Sequence, residues 1–216
     1  LKSACVGFYW TLPVTWADFR RLPSDINGAA RASRTIRYQR ERVKQWVRAE
    51  ALSLVGEIAF MDVRTDRATE EVREALVEAR RLCARQHAVL AYVAFEERNL
   101  WRSNPHLRHH AEELGLELIA LSPDPITVDG RRFDPVAHFK ASRVAERERM
   151  GELRREAYAG IARALSAIPE GAGRWQAVAE RLNIEGVRSL KGGAWTSENV
   201  RKVVGRHGDA FSSVQG

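Results

Sequence analysis

Cysteine is nearly absent from this chain of 216 residues. Only Cys5 and Cys83 occur, with no C-x-x-C spacing. Neither a paired-disulfide framework nor a zinc finger is supported, and both cysteines read as small apolar core residues. Long hydrophobic runs are also lacking. The longest, residues 88–95 and 116–121, fall far short of the ~20 residues that a membrane-spanning helix needs, so no membrane partner is expected. The N-terminal residues lack the Lys-then-apolar pattern of a secretory leader, and a cytoplasmic location is the expectation. Neither common glycine-rich phosphate loop is present, which argues against a nucleotide-driven enzyme, and no cofactor is expected.

What remains is a composition of 44% apolar and 29% charged residues, which is globular rather than disordered or fibrous. The length suffices for one medium domain and a small one, each with its own core. Lysine and arginine outnumber the acids by 35 to 28, a net charge of +7. The excess is uneven: residues 1–137 hold 21 basic and 19 acidic side chains, whereas 138–216 hold 14 and 9. A basic C-terminal portion suits a polyanion, nucleic acid before anionic membrane, although a merely solvated basic surface gives the same count.

Along the chain, residues 4–10 are apolar and aromatic, as in a buried strand, and residues 11–33 form an irregular excursion with a helical turn around 16–21. From Arg34 the apolar positions Ile36, Val43, Trp46, Val47 and Ala51 recur at helical spacing. A strand at 54–63, a helix at 69–85 capped by Thr69, a strand at 88–95, a helix at 105–114 and a strand at 116–121 follow. This alternation predicts an α/β fold with a mostly parallel sheet and flanking helices. Asp129-Gly130 marks a hairpin, and 135–167 reads as one long connecting helix with a sparse apolar set.

Beyond the linker at 168–173, a helix around Trp175–Leu182, a glycine-bearing connection and a helix from Thr196 to Arg206 have the form of a small helix-turn-helix domain. Val200, Val203 and Val204 face inward, leaving Asn199, Arg201, Lys202 and Arg206 for the outer face, with Arg188 and Lys191 in the connection. A helical hairpin with solvated cations is the plainer alternative.

The run from Leu182 to Val203 reads L-N-x-x-G-V-x-S-x-x-G-G-x-W-T-x-x-x-V-x-x-V. In that pattern it resembles the DNA-binding segment of the serine site-specific recombinase (resolvase/invertase) family, over the last quarter of the chain. Two further stretches are similar to family motifs. Thr35-Ile36-Arg37-Tyr38-Gln39-Arg40 resembles an S-I-x-x-Q-R helix, and Glu97-Arg98-Asn99-Leu100-Trp101-Arg102-Ser103 resembles a D-R-L-x-R-S motif, with Glu for Asp and one residue extra. The resemblance implies a resolvase-like domain at 1–134, a dimerisation helix at 135–167, a helix-turn-helix DNA-binding domain at 168–208 and a tail at 209–216. It also implies double-stranded DNA as partner, a homodimer or homotetramer, and DNA recombination or integration by cleavage and rejoining. Asn199, Arg201, Lys202 and Arg206 would contact the major groove, and Arg188 and Lys191 the backbone.

The nucleophile motif differs. The family's first strand ends in Y-x-R-x-S, whose serine attacks a DNA phosphodiester while arginines hold the phosphate. Here Phe8-Tyr9-Trp10-Thr11-Leu12 stands in that place, with Trp10 for the arginine and Leu12 for the serine. Indole has no guanidinium fork, and leucine has no attacking atom. Three hydroxyls remain. Thr11 points to the opposite side of the strand, and Ser24 and Ser33 lie in the excursion, the latter in an R-x-S triplet with Arg31. Two readings follow: a DNA-binding protein with its nucleophile replaced, or an active recombinase with Ser33 as nucleophile and Arg98 and Arg102 holding phosphate. A third is an assembly protein that only dimerises. His106, His109, His110 and Glu113 share a helix face at i, i+3, i+4 and i+7. With no second ligand cluster, a solvated face is preferred there and no metal is expected.

Overall fold

The computed structural model describes residues 2–14, 17–64, 67–97, 103–207 and 211. Four strands, β1 (Ala4–Thr11), β2 (Ser53–Met61), β3 (Ala88–Val93) and β4 (Leu118–Leu121), form a parallel sheet in the order β2-β1-β3-β4. Alternation along the central β1 sends successive side chains to opposite faces, and both faces are covered. Val6, Phe8 and Trp10 pack with Val72 and Leu76 of helix α3 (Glu70–Gln86) and Leu107 of α4 (Pro105–Glu113). Cys5 and Tyr9 pack with Ala29 of α1 (Ile26–Ala32) and with Ile36 and Val43 of α2 (Arg34–Ala49). Each of the larger aliphatic and Phe side chains here, wholly removed from water, stabilises the fold by roughly 1.5–3 kcal/mol. Burial also pushes the Cys5 thiol up to about 12 and raises that of Cys83, so neither is a nucleophile at neutral pH.

The fold is therefore α/β with a mostly parallel sheet and, among the described residues, seven helices. Part of the irregular excursion is in fact helical. Asp25 caps α1, its Oδ1 accepting from the Gly28 N–H at 2.7 Å. The turn expected at 16–21 lies partly outside the described residues; Ala17 and Asp18 are in a turn that the isolated bridge between Val14 and Phe19 closes. The predicted strand at 88–95 ends at Val93, and Phe95–Glu97 form a 3-10 turn. Asp129 and Gly130, both at positive φ, join β5 (Ile126–Val128) to β6 (Arg131–Phe133) in an antiparallel hairpin.

The chain divides into two compact units, residues 1–140 and 141–216, and the division falls within α5 (Pro135–Ala167). The second unit has its own core. Ala157, Ile161 and Ala164 of α5 pack with Val178, Ala179 and Leu182 of α6 (Arg174–Ile184) and with Val200 of α7 (Ser197–Arg206). The two-helix domain expected from sequence therefore rests on a third helix. Gly160 marks where α5 and α6 meet: a Cβ there would lie 2.9 Å from a Leu182 methyl. Among the described residues no helix is long and apolar enough to cross a membrane.

Candidate nucleic-acid interface and the carboxyl edge of the sheet

Open parallel sheets bind ligands beyond the carboxyl ends of their strands, where neighbouring connections depart to opposite faces. That place lies between β1 and β3, which pair only as far as Gly7 and Ala91. Past this point the wholly buried Gln39 takes the role of a neighbouring strand. Its Oε1 accepts from the Trp10 N–H at 3.2 Å, and its Nε2 donates to the carbonyls of Trp10 at 2.8 Å and Thr35 at 3.0 Å. The indole of Trp10 packs edge-on against Phe95, which in turn meets Phe139, while Tyr38 tilts against Phe133. Leu12 packs half-buried against the same cluster. The positions that the resemblance aligns with a phosphate-binding arginine and a nucleophilic serine are thus occupied by core packing.

Two of the three remaining hydroxyls, those of Ser33 and Thr11, are engaged. Ser33 is 5% exposed and sits between α1 and α2, closing the first with its N–H on the Ala29 carbonyl and capping the second. Its Oγ accepts from the Ile36 N–H at 3.3 Å and donates to Thr11 Oγ1 at 3.4 Å. Thr11 is itself buried, and Ser24 is exposed. Arg98 and Arg102, the proposed phosphate ligands, lie outside the described residues, as does Trp16.

Two polar clusters here escaped the sequence reading. Arg40 forms a two-pronged pair with Glu57, at 2.8 and 2.9 Å, and the Tyr9 hydroxyl donates to the same carboxylate at 3.0 Å. Burial, then the neighbouring Glu57 charge, holds the Tyr9 phenol far above its ordinary range. Asp62, wholly buried just after β2, accepts from the Arg64 N–H, the Thr69 hydroxyl and Asn104 Nδ2. Burial raises the Asp62 carboxyl, and those three donors oppose the rise. Thr69 is still the N-cap residue of α3, but its hydroxyl serves Asp62 instead of the helix N–H groups. A carboxylate ending a strand and an asparagine preceding Pro105 were the available signals. All these groups find their partners inside the protein: the first cluster ties α2 to β1 and β2, and the second ties the end of β2 to the starts of α3 and α4.

On α4, His109 and His110 both approach Glu113, at 3.3 and 2.9 Å, and the His110 hydrogen bond, then the His109 charge, lowers the Glu113 carboxyl. Among the described residues no group of three or more His, Cys, Asp or Glu side chains is placed to hold a metal ion.

In the second unit the connection between α6 and α7 is fixed from within. Asn183 Nδ2 donates to the Trp195 carbonyl at 3.0 Å, and the Trp195 N–H donates to Asn183 Oδ1 at 2.8 Å. Between them Val187 is buried, and Gly186 and Gly192 take positive φ where the chain reverses. Thr196 opens α7 with a full capping box: its Oγ1 accepts from the Asn199 N–H, and Asn199 Oδ1 accepts from the Thr196 N–H at 2.7 Å. Asn199, expected on the contact face, is therefore half-buried with its carbonyl oxygen engaged.

Arg188, Lys191, Arg201, Lys202 and Arg206 are all exposed. Lys202 pairs with Glu198 at 2.6 Å, and that contact lowers the Glu198 carboxyl. Among the described residues Arg188, Lys191, Arg201 and Arg206 enter no ion pair. Val200 of α7 is wholly buried on the opposite side. Comparison with protein families, with curated proteins and with solved structures finds no match to this chain.

Proposed function

We propose that this chain is a double-stranded-DNA-binding protein of serine-recombinase type, acting in the cytoplasm as a homodimer or homotetramer, whose α/β unit has lost the strand-cleaving serine. One observation carries the reading. A capped helix, α7, buries Val200 and exposes Arg201, Lys202 and Arg206, next to a connection that exposes Arg188 and Lys191. Five exposed cations around one helix supply the charge that releases counterions from a duplex, and the helix offers side chains at groove depth. The sequence pattern of 182–203 supports the same partner independently of charge. Engagement of Ser33 as a helix cap and the packing of Trp10 and Leu12 support binding without cleavage.

Duplex binding measured by mobility shift across a salt series tests the proposal. Affinity should fall steeply as salt rises, and combined Arg201→Ala and Lys202→Ala should weaken it. Absence of duplex binding, or binding indifferent to salt, overturns it in favour of an assembly protein. A covalent protein–DNA adduct on a nicked duplex, lost on Ser33→Ala, overturns the non-cleaving part alone.

A further inference from the structure

The exposed face of α7 has a bare spot in its last turn. At 100° per residue, Glu198, Lys202 and Gly205 fall nearly in line, with Arg201 and Arg206 flanking them, while Val200 turns the other way. Glycine is the poorest helix former after proline, so a helical glycine needs a reason. Gly160 has one in the Leu182 methyl against it, and Gly186 and Gly192 have one in their positive φ. Gly205 has neither. It is exposed, its φ is not positive, and a Cβ built on it meets nothing within 4 Å.

We infer that Gly205 is the point of closest approach between α7 and the duplex, kept free of a side chain so that the helix seats deeply in the major groove. This inference rests on the DNA-binding reading above. A helix with its side chains is ~10–12 Å across and the major groove ~12 Å wide, so one bare position at the crest of the helix decides how far it enters. The surroundings fit that occupant. Arg201, Lys202 and Arg206 ring the bare spot, placed to reach the phosphates on either side while the main chain at 205 faces the base edges.

The test compares Gly205→Ala and Gly205→Arg with the wild-type chain on a duplex pool that the wild type selects from a random-sequence library. Alanine should raise the melting temperature, because it favours helix, and yet weaken binding at least about fivefold, the low end of what one lost base contact costs. Arginine should weaken binding further despite its added positive charge. Unchanged or tighter binding by Gly205→Ala, or tighter binding by Gly205→Arg, shows an open electrostatic surface and overturns the inference. An Arg201→Ala variant run alongside separates the two failures. If it loses affinity while both Gly205 variants keep theirs, close approach alone is wrong; if the wild type selects no duplex, the DNA-binding reading falls and the inference with it.

Discussion

At the carboxyl edge of the sheet and on the exposed face of α7, polar side chains meet opposite fates. At the sheet edge Gln39, Ser33, Thr11 and Asp62 are buried, and their polar atoms are taken up by backbone groups and neighbouring side chains. Around them Trp10, Phe95 and Phe139 fill the space with rings. On α7 the only acid beside the three cations is Glu198, and the contacts it makes are solvent-exposed. A buried group whose hydrogen bonds are complete inside the fold has little left for a ligand, and freeing it breaks those bonds and the packing around them. The α7 cations have no such commitment, which is why the proposal places binding there and cleavage nowhere.

The largest expected effect comes from rebuilding the family pattern at the sheet edge. Trp10→Arg removes an aromatic anchor and buries a guanidinium among rings, so it should lower the unfolding free energy by about 3–5 kcal/mol in urea titrations. A well-folded Trp10→Arg protein of unchanged stability would show that this edge is open enough for a phosphate. Next in size, the double substitution Arg201→Ala and Lys202→Ala should weaken duplex binding by about tenfold or more. It should also flatten the salt dependence by about two phosphate contacts, with the melting temperature unchanged.

Ser33→Ala follows. Loss of an α2 cap should cost about 1 kcal/mol of stability while duplex affinity stays as it was. A loss of DNA chemistry without that loss of stability would reverse the comparison between the two regions. The smallest effect is a gain. Glu198→Gln releases Lys202 and removes a negative charge facing the phosphates, so binding to a random duplex should tighten by a few-fold at low salt, an advantage that fades at high salt.

The strands were legible because burial on both faces leaves a continuous apolar run, as in 88–93, and Asp129-Gly130 announced its hairpin through the positive φ its turn demands. Helix α1 was not. Pro23 and Asn27-Gly28 look like a turn, yet Gly28 is the third helical residue and donates to the Asp25 cap; a Cβ there would lie 2.5 Å from that carboxylate. The contribution of α5 to the second core was hidden as well, since Ala157, Gly160, Ile161 and Ala164 form a narrow stripe of mostly small residues that hydrophobicity alone undervalues. On α7 the cations were read correctly as exposed, but Asn199 serves as a cap, a role that the spacing from Thr196 already encoded. The Arg40–Glu57 pair joins residues 17 apart, and no local pattern brings them together.

The two hydrogen bonds between Asn183 and Trp195 carry a consequence for variation in this unit. They close the connection at its base, and the Ser189 N–H bond to the Gly193 carbonyl at 2.8 Å closes it again nearer the tip, so the entry of α7 is fixed twice over. Lengthening a closed loop is inexpensive, about 0.6 kcal/mol for each doubling. An insertion between the exposed Lys191 and Gly192 would break the tip's own turn, where the Gly192 N–H donates to the Ser189 carbonyl at 2.7 Å. It would leave the clamp between Asn183 and Trp195 behind it intact, so the reach of the basic tip can change before α7 is unseated.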